Sequence, residues 1–146
     1  MGTERTERTE IRAEHLAGDA FELVIRDHLV TVDQPRDAGG DDLGPTPTEL
    51  FVASLAGCVG FYAARYLRRH DLPDDGLRVR GSFAMSDDRP ARVASIDLDV
   101  ELPAGFPKER LVALGRVVEH CTVHNSIRFA PEVRTRLVEA PWASVA

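Results

Sequence analysis

Apolar and polar positions change rhythm along this chain, and each change marks an element. Residues 21–25 and 28–32 (Phe-Glu-Leu-Val-Ile and His-Leu-Val-Thr-Val) predict two strands, with 11–16 a weaker third. Arg26 and Asp27 lie between the two and predict a tight turn, hence a hairpin or short meander. The stretch 33–46 holds Pro35, Gly39, Gly40, Gly44 and Pro45 and reads as a loop. From Pro47 the period becomes helical. Phe51, Leu55, Cys58, Tyr62 and Arg65 share one face of a helix predicted over 47–70. Thr46 suits its cap, Pro47 its first position and Glu49 its first turn. Gly57 and Gly60, within a small-residue stretch, permit close approach of another backbone. Asp71, Pro73 and Gly76 end the helix.

Alternation returns over 77–85 and again over 92–102. In the second segment Val93, Ser95/Ile96, Leu98 and Val100 oppose Asp97, Asp99 and Glu101, the mark of a half-buried antiparallel strand. Pro107 opens a second helix, with Leu111, Leu114, Val117 and Val118 on its buried side, ending near His120. Residues 121–128 read as irregular or one further turn, and 133–138 as a final strand. This order predicts an α+β fold, with a mostly antiparallel sheet packed on the long helix that carries Cys58. Residues 11–146 are expected to form a single domain. Residues 1–10, a Thr-Glu-Arg repeat with little to bury, are expected to be frayed or disordered.

A chain of 146 residues can bury a core without covalent staples. Aromatics are only 6%, so that core must be built from Leu, Val, Ile and Ala. The net charge of -6 argues against a nucleic-acid surface, and Arg65, Arg68 and Arg69 read as a solvated or ion-paired helix end. No run of about 18 apolar residues predicts a membrane span, and no apolar leader is seen at the N-terminus, so the expected location is the cytoplasm. The two cysteines, Cys58 and Cys121, then point to redox or metal chemistry rather than a staple.

Cys58 lies mid-helix on an apolar face. A thiolate is the reactive form, and an apolar site alone disfavours it, so a cation or donor must help. Arg65 lies two turns on, too far to touch the sulfur directly unless the helix bends; Arg26, Arg36 or an arginine of a second subunit are the better candidates. Cys121 follows a helix and has His120 and His124 beside it, where an imidazole can serve as base. By residue type alone, a cysteine such as Cys58 is more often packing than chemistry. A zinc site from Cys58, Cys121, His120 and His124 lacks a second short-spaced pair, and no metal is expected. The nucleophile-elbow, Walker A and dinucleotide-fingerprint patterns are not found, and no cofactor is expected.

The segments GPTPTELFVASLAGC (44–58) and CTVHNSI (121–127) together resemble the OsmC/Ohr family of osmotically induced and organic-hydroperoxide-resistance proteins, over about 21–138. The resemblance implies an intertwined homodimer with the two cysteine-bearing helices at its centre. It implies reduction of organic hydroperoxides, with Cys58 the peroxidatic and Cys121 the resolving cysteine, joined as a disulfide that a lipoyl-type or other dithiol reduces. The chain departs from that pattern at three places. Thr48 stands where the well-characterised branches have a Glu that holds the active-site Arg, and Glu49 follows it. His124 stands where they tend to have Ser, and their catalytic Arg has no clear counterpart: Arg26 and Arg36 are candidates and Arg12 a weaker one. These departures motivate the alternative of a stress-associated or ligand-binding protein without efficient turnover, in which Phe51, Leu55 and Tyr62 line a pocket.

Overall fold

The computed structural model describes residues 7–140. Three strands, β1 (Ile11–Ala17), β2 (Ala20–Ile25) and β3 (His28–Val32), form an antiparallel meander in that order. The Arg26-Asp27 turn is as expected, with Ile25 paired to His28 and Arg26 held at φ 54°. The weak strand over 11–16 is fully formed, yet every residue of β1 is exposed. Residues 7–10 have no regular structure, and the remainder of the 1–10 segment lies outside the described residues.

The loop after β3 is organised by Asp33. Its buried carboxylate accepts backbone N–H bonds from Gln34 (2.7 Å), Asp41 (3.1 Å) and Leu43 (3.1 Å). Burial pushes this carboxyl's pKa up, but the donors of Leu43, Gln34 and Asp41 outweigh it, and the pKa lies below the ordinary range. The loop thereby delivers the chain to α1 (Pro47–Arg69). Thr46 and Glu49 close a capping box: the Glu49 N–H donates to Thr46 Oγ1 (3.1 Å) and the Thr46 N–H to Glu49 Oε1 (2.9 Å). At the other end Asp71 takes φ 53°, and the N–H of Leu72 reaches back to the Leu67 carbonyl (2.9 Å), a Schellman stop.

The helix face differs from the expected one. Val52, Leu55, Val59, Ala63, Tyr66 and Leu67 are buried, whereas Phe51 is exposed and Arg65 lies outward over the Phe61 ring at 4.8 Å. Apolar residues surround most of this helix, so periodicity alone does not select the side that packs. By length and mean hydropathy (1.5 over an 18-residue window) α1 is, contrary to expectation, long and apolar enough to cross a membrane, because its hydropathy does not depend on an unbroken apolar run. Here it packs on two further strands and on the helix Leu111–Glu119.

Those strands are β4 (Arg78–Met85) and β5 (Val93–Glu101), an antiparallel ribbon. Val79, Ile96, Leu98 and Val100 pack toward the α1 core. A bulge near Ala94 brings Val93 opposite Met85 and explains why the apolar phase slips between Val93 and Ile96. Gly81 sits where α1 crosses: a Cβ there would lie 3.0 Å from Leu98 Cδ2 and 3.8 Å from Val52 Cγ1.

After a short 3-10 turn at Lys108–Arg110, α2 (Leu111–Glu119) packs Leu114, Val117 and Val118 against Ala63 and Tyr66. Leu111, expected on that buried side, is exposed. The segment after Cys121 is a true helix, α3 (Thr122–Arg128). The expected strand over 133–138 is absent. That segment has no regular structure, and Val133, Leu137 and Val138 are 80%, 99% and 84% exposed. A strand needs a neighbour for its N–H and C=O groups, and no described segment pairs with this one.

The result is α+β with antiparallel sheets, as expected, but the sheet is divided. The β4–β5 ribbon packs on α1, while β1–β3 makes at most marginal contact with that body.

Candidate active site

Cys58 lies in the middle of α1, half-buried, at the edge of the core formed by Leu55, Val59 and Cys121. Nothing crowds Gly57 within 4 Å, and a Cβ on Gly60 would make only ordinary contact with Val79 (3.5 Å). Within the chain these glycines therefore leave open space rather than a forced close approach. Cys121 is the residue before α3 and is wholly buried. The chain folds back through β4, β5 and α2 so that the two thiols, far apart in sequence, become neighbours in one packed cluster. Both are free thiols.

Burial first, and then the adjacent Cys58 thiol, push the Cys121 pKa up. The backbone N–H groups of His124 and Val123, in the first turn of α3, pull the other way without closing a capping bond, and burial prevails. The contrast is chemical. Cys58 is reachable from solvent, whereas Cys121 is enclosed and held protonated.

The other expected groups lie apart from the sulfurs. Glu49 is committed to the capping box, and the bonds from the Thr46 backbone and side chain lower its pKa, outweighing the opposing effect of desolvation. It stands nine residues before Cys58, about 13 Å along the helix. Arg26 is in the β2–β3 turn, Arg36 in a short 3-10 turn of the loop, and Arg12 pairs with Glu14 on β1 (3.2 Å). Among the described residues, no guanidinium donates to the Cys58 sulfur. His124 faces Cys121 through its backbone N–H, and His120 is exposed.

His124 also borders a half-open cavity of about 400 Å³ between α1, β5 and α3. Phe51, Leu55, Val93, Ile96 and Leu98 supply most of its wall, while Tyr62, expected there, does not line it. Tyr62 instead meets Thr122: their hydroxyls are 3.1 Å apart. Thr122 carries no chemistry signal of its own, and only its place after Cys121 marks it. Asp33 likewise showed nothing beyond standing at the entrance to a glycine-rich loop.

Comparison with known proteins agrees with this architecture. The chain superposes on a Psychrobacter arcticus protein named for osmotic stress induction and a detoxification response, with TM-score 0.75 and 18% identity over 84% of this chain and 90% of that one. An OsmC-like protein of Mycoplasma pneumoniae matches with TM-score 0.72 and 15% identity over 86% and 90%. The organic hydroperoxide resistance protein OhrB of Bacillus subtilis matches with TM-score 0.59 and 19% identity over 82% and 90%. No curated protein matches the sequence significantly. The family model for OsmC-like proteins matches residues 39–136, more than half of the chain and spanning both cysteines, so the protein belongs to the OsmC-like family.

Proposed function

We propose that this protein is a soluble, cytoplasmic, two-cysteine peroxidase that reduces organic hydroperoxides. The observation that carries the reading is the packing of Cys58, from α1, against the buried core that holds Cys121, from a separate helical element. Their unequal burial supports the division of roles. The Cys58 thiolate attacks the distal peroxide oxygen, the O–O bond breaks, and an alcohol leaves. Cys58 is left as a sulfenic acid. Cys121, shielded from peroxide, then displaces water from it to form the disulfide. An external dithiol of the lipoyl class restores both thiols. The family supports the substrate class, since related structures carry organic hydroperoxide resistance in their names.

The reading includes a homodimer. The β1–β3 sheet leaves Ile11, Leu16 and Leu29 exposed, and α1 leaves Phe51 and Phe61 exposed. A second copy would cover these surfaces and bring its own arginines, Arg26 and Arg36 among them, toward Cys58. A neighbouring cation favours the thiolate form of any thiol over the neutral one.

The test is mass spectrometry of reduced protein after one equivalent of cumene hydroperoxide. A Cys58–Cys121 disulfide is expected, and Cys58→Ser should abolish peroxide consumption. Protein that stays fully reduced and consumes no peroxide would refute the proposal. The half-open cavity favours a second reading, a protein that binds an apolar ligand between Phe51, Leu55 and Ile96 without efficient turnover. Steady-state peroxidase turnover lost in Cys58→Ser would eliminate it.

A further inference from the structure

Tyr62 and Thr122 flank the two cysteines on their separate helical elements. Tyr62 lies four residues after Cys58, one turn along the same side of α1. Thr122 directly follows Cys121 and opens α3. Their hydroxyls meet at 3.1 Å, sixty residues apart in sequence. This bond joins the two segments whose sulfurs must combine. The Cys121 turn is braced from its other side as well: Asn125 Nδ2 donates to the His120 carbonyl (3.1 Å), and the Asn125 N–H to the Cys121 carbonyl (2.9 Å). The Phe61 ring, edge-on to Tyr62 at 5.4 Å, limits how the phenol can swing.

We propose that the Tyr62–Thr122 hydroxyl pair is a latch that sets the approach of Cys121 to Cys58, making Tyr62 a positioning residue for disulfide closure. The inference rests on the peroxidase reading for its role in turnover, but its geometry stands apart from that reading. In the step concerned, the S–O bond of the Cys58 sulfenic acid breaks as the Cys121 sulfur bonds to Cys58. The hydroxyl departs as water with the Cys121 proton. The two-electron oxidant has already been consumed in making the sulfenic acid. An end-on alignment of three atoms is required, so losing the latch lowers the fraction of time the sulfurs are aligned without touching the first attack.

Two arms separate the possibilities. In the first, reduced protein meets stoichiometric cumene hydroperoxide in quenched flow, and mass spectrometry follows the dimedone-trapped Cys58 sulfenic acid and the disulfide. In the second, diamide joins the two thiols with no peroxidase chemistry. Tyr62→Phe and Thr122→Val should each slow disulfide closure by about two- to tenfold in both arms, the weight of one exchanged hydrogen bond. Sulfenic acid formation should keep the wild-type rate. Thr122→Ser, which retains the hydroxyl, should close at the wild-type rate. The Tyr62→Phe/Thr122→Val double variant should be no slower than either single one, as expected of a shared interaction. Closure at the wild-type rate in Tyr62→Phe, or equal slowing of both chemical steps, would overturn the latch. Wild-type protein inert to peroxide yet showing the diamide difference would overturn the peroxidase reading and leave the latch standing.

Discussion

Leu55 and Leu67 are both buried leucines of α1, and their surroundings predict that truncating them has opposite rank orders for stability and for cysteine chemistry. Leu67 is 0% exposed, and Leu67→Ala leaves an enclosed void. Such a loss combines the transfer of the removed carbons with an unfilled cavity and costs about 4–5 kcal/mol. Leu55 is 6% exposed and already forms part of the wall of the half-open cavity. Its truncation enlarges a space that neighbours and water can enter, so Leu55→Ala should fall near the lower limit, about 2.5–3 kcal/mol. With a urea slope of about 2 kcal/mol/M, the two midpoints should differ by roughly 0.5–1.3 M. In melting temperature the gap is about 2–10 °C. Both are to be measured at one protein concentration, because a self-associating chain shifts its midpoint with concentration. The diamide reaction should rank them the other way, since Leu55 packs in the same cluster as Cys121 while Leu67 does not. Equal midpoints, or Leu55→Ala the less stable of the two, would refute the argument that the cavity relieves the Leu55 site.

Titration and loop order give two further tests. The raised Cys121 pKa contributes stability that is fully present below the unfolded thiol value of about 8.5 and is lost as pH rises through the folded value; thermal melts from pH 7 to 10 should therefore fall more steeply for wild type than for Cys121→Ala, and parallel curves would count against the burial account. Asp33 works in the opposite sense: its lowered pKa gives stability present above about 3.9 and lost as pH falls through the folded value. Asp33→Asn keeps one carbonyl oxygen for three backbone donors and turns an amide toward the rest, so limited proteolysis should cut faster within 34–46, and an unchanged cleavage rate would show that the carboxylate does not hold the loop.

Local signals carried much of the fold. Alternation placed the five strands that form, Thr46-Pro47-x-Glu49 placed the start of α1, and the Val93/Ile96 phase slip corresponds to a real bulge. Where the signal was not local, it misled. The apolar character of α1 runs almost all the way round, so which face packs is decided by the residues opposite: Gly81 admits Val52, and Ala63 accepts α2. The 133–138 pattern is alternating and apolar, but a strand exists only where another backbone offers its hydrogen bonds. Nor can a sequence say that a tyrosine and a threonine sixty residues apart share a hydrogen bond.

The two cysteines show the same division. Their flanking motifs, taken together, identified the family, because short segments around a helix start and a helix end are constrained by nearby residues. What only the tertiary structure decided is their relation. It enclosed Cys121 and left Cys58 half-open, and it left Cys58 without a donating guanidinium among the described residues. The physical reason is that propensity, capping and patterning act over a turn or two of chain, whereas burial, thiol acidity and the meeting of two sulfurs depend on which distant segments share the space.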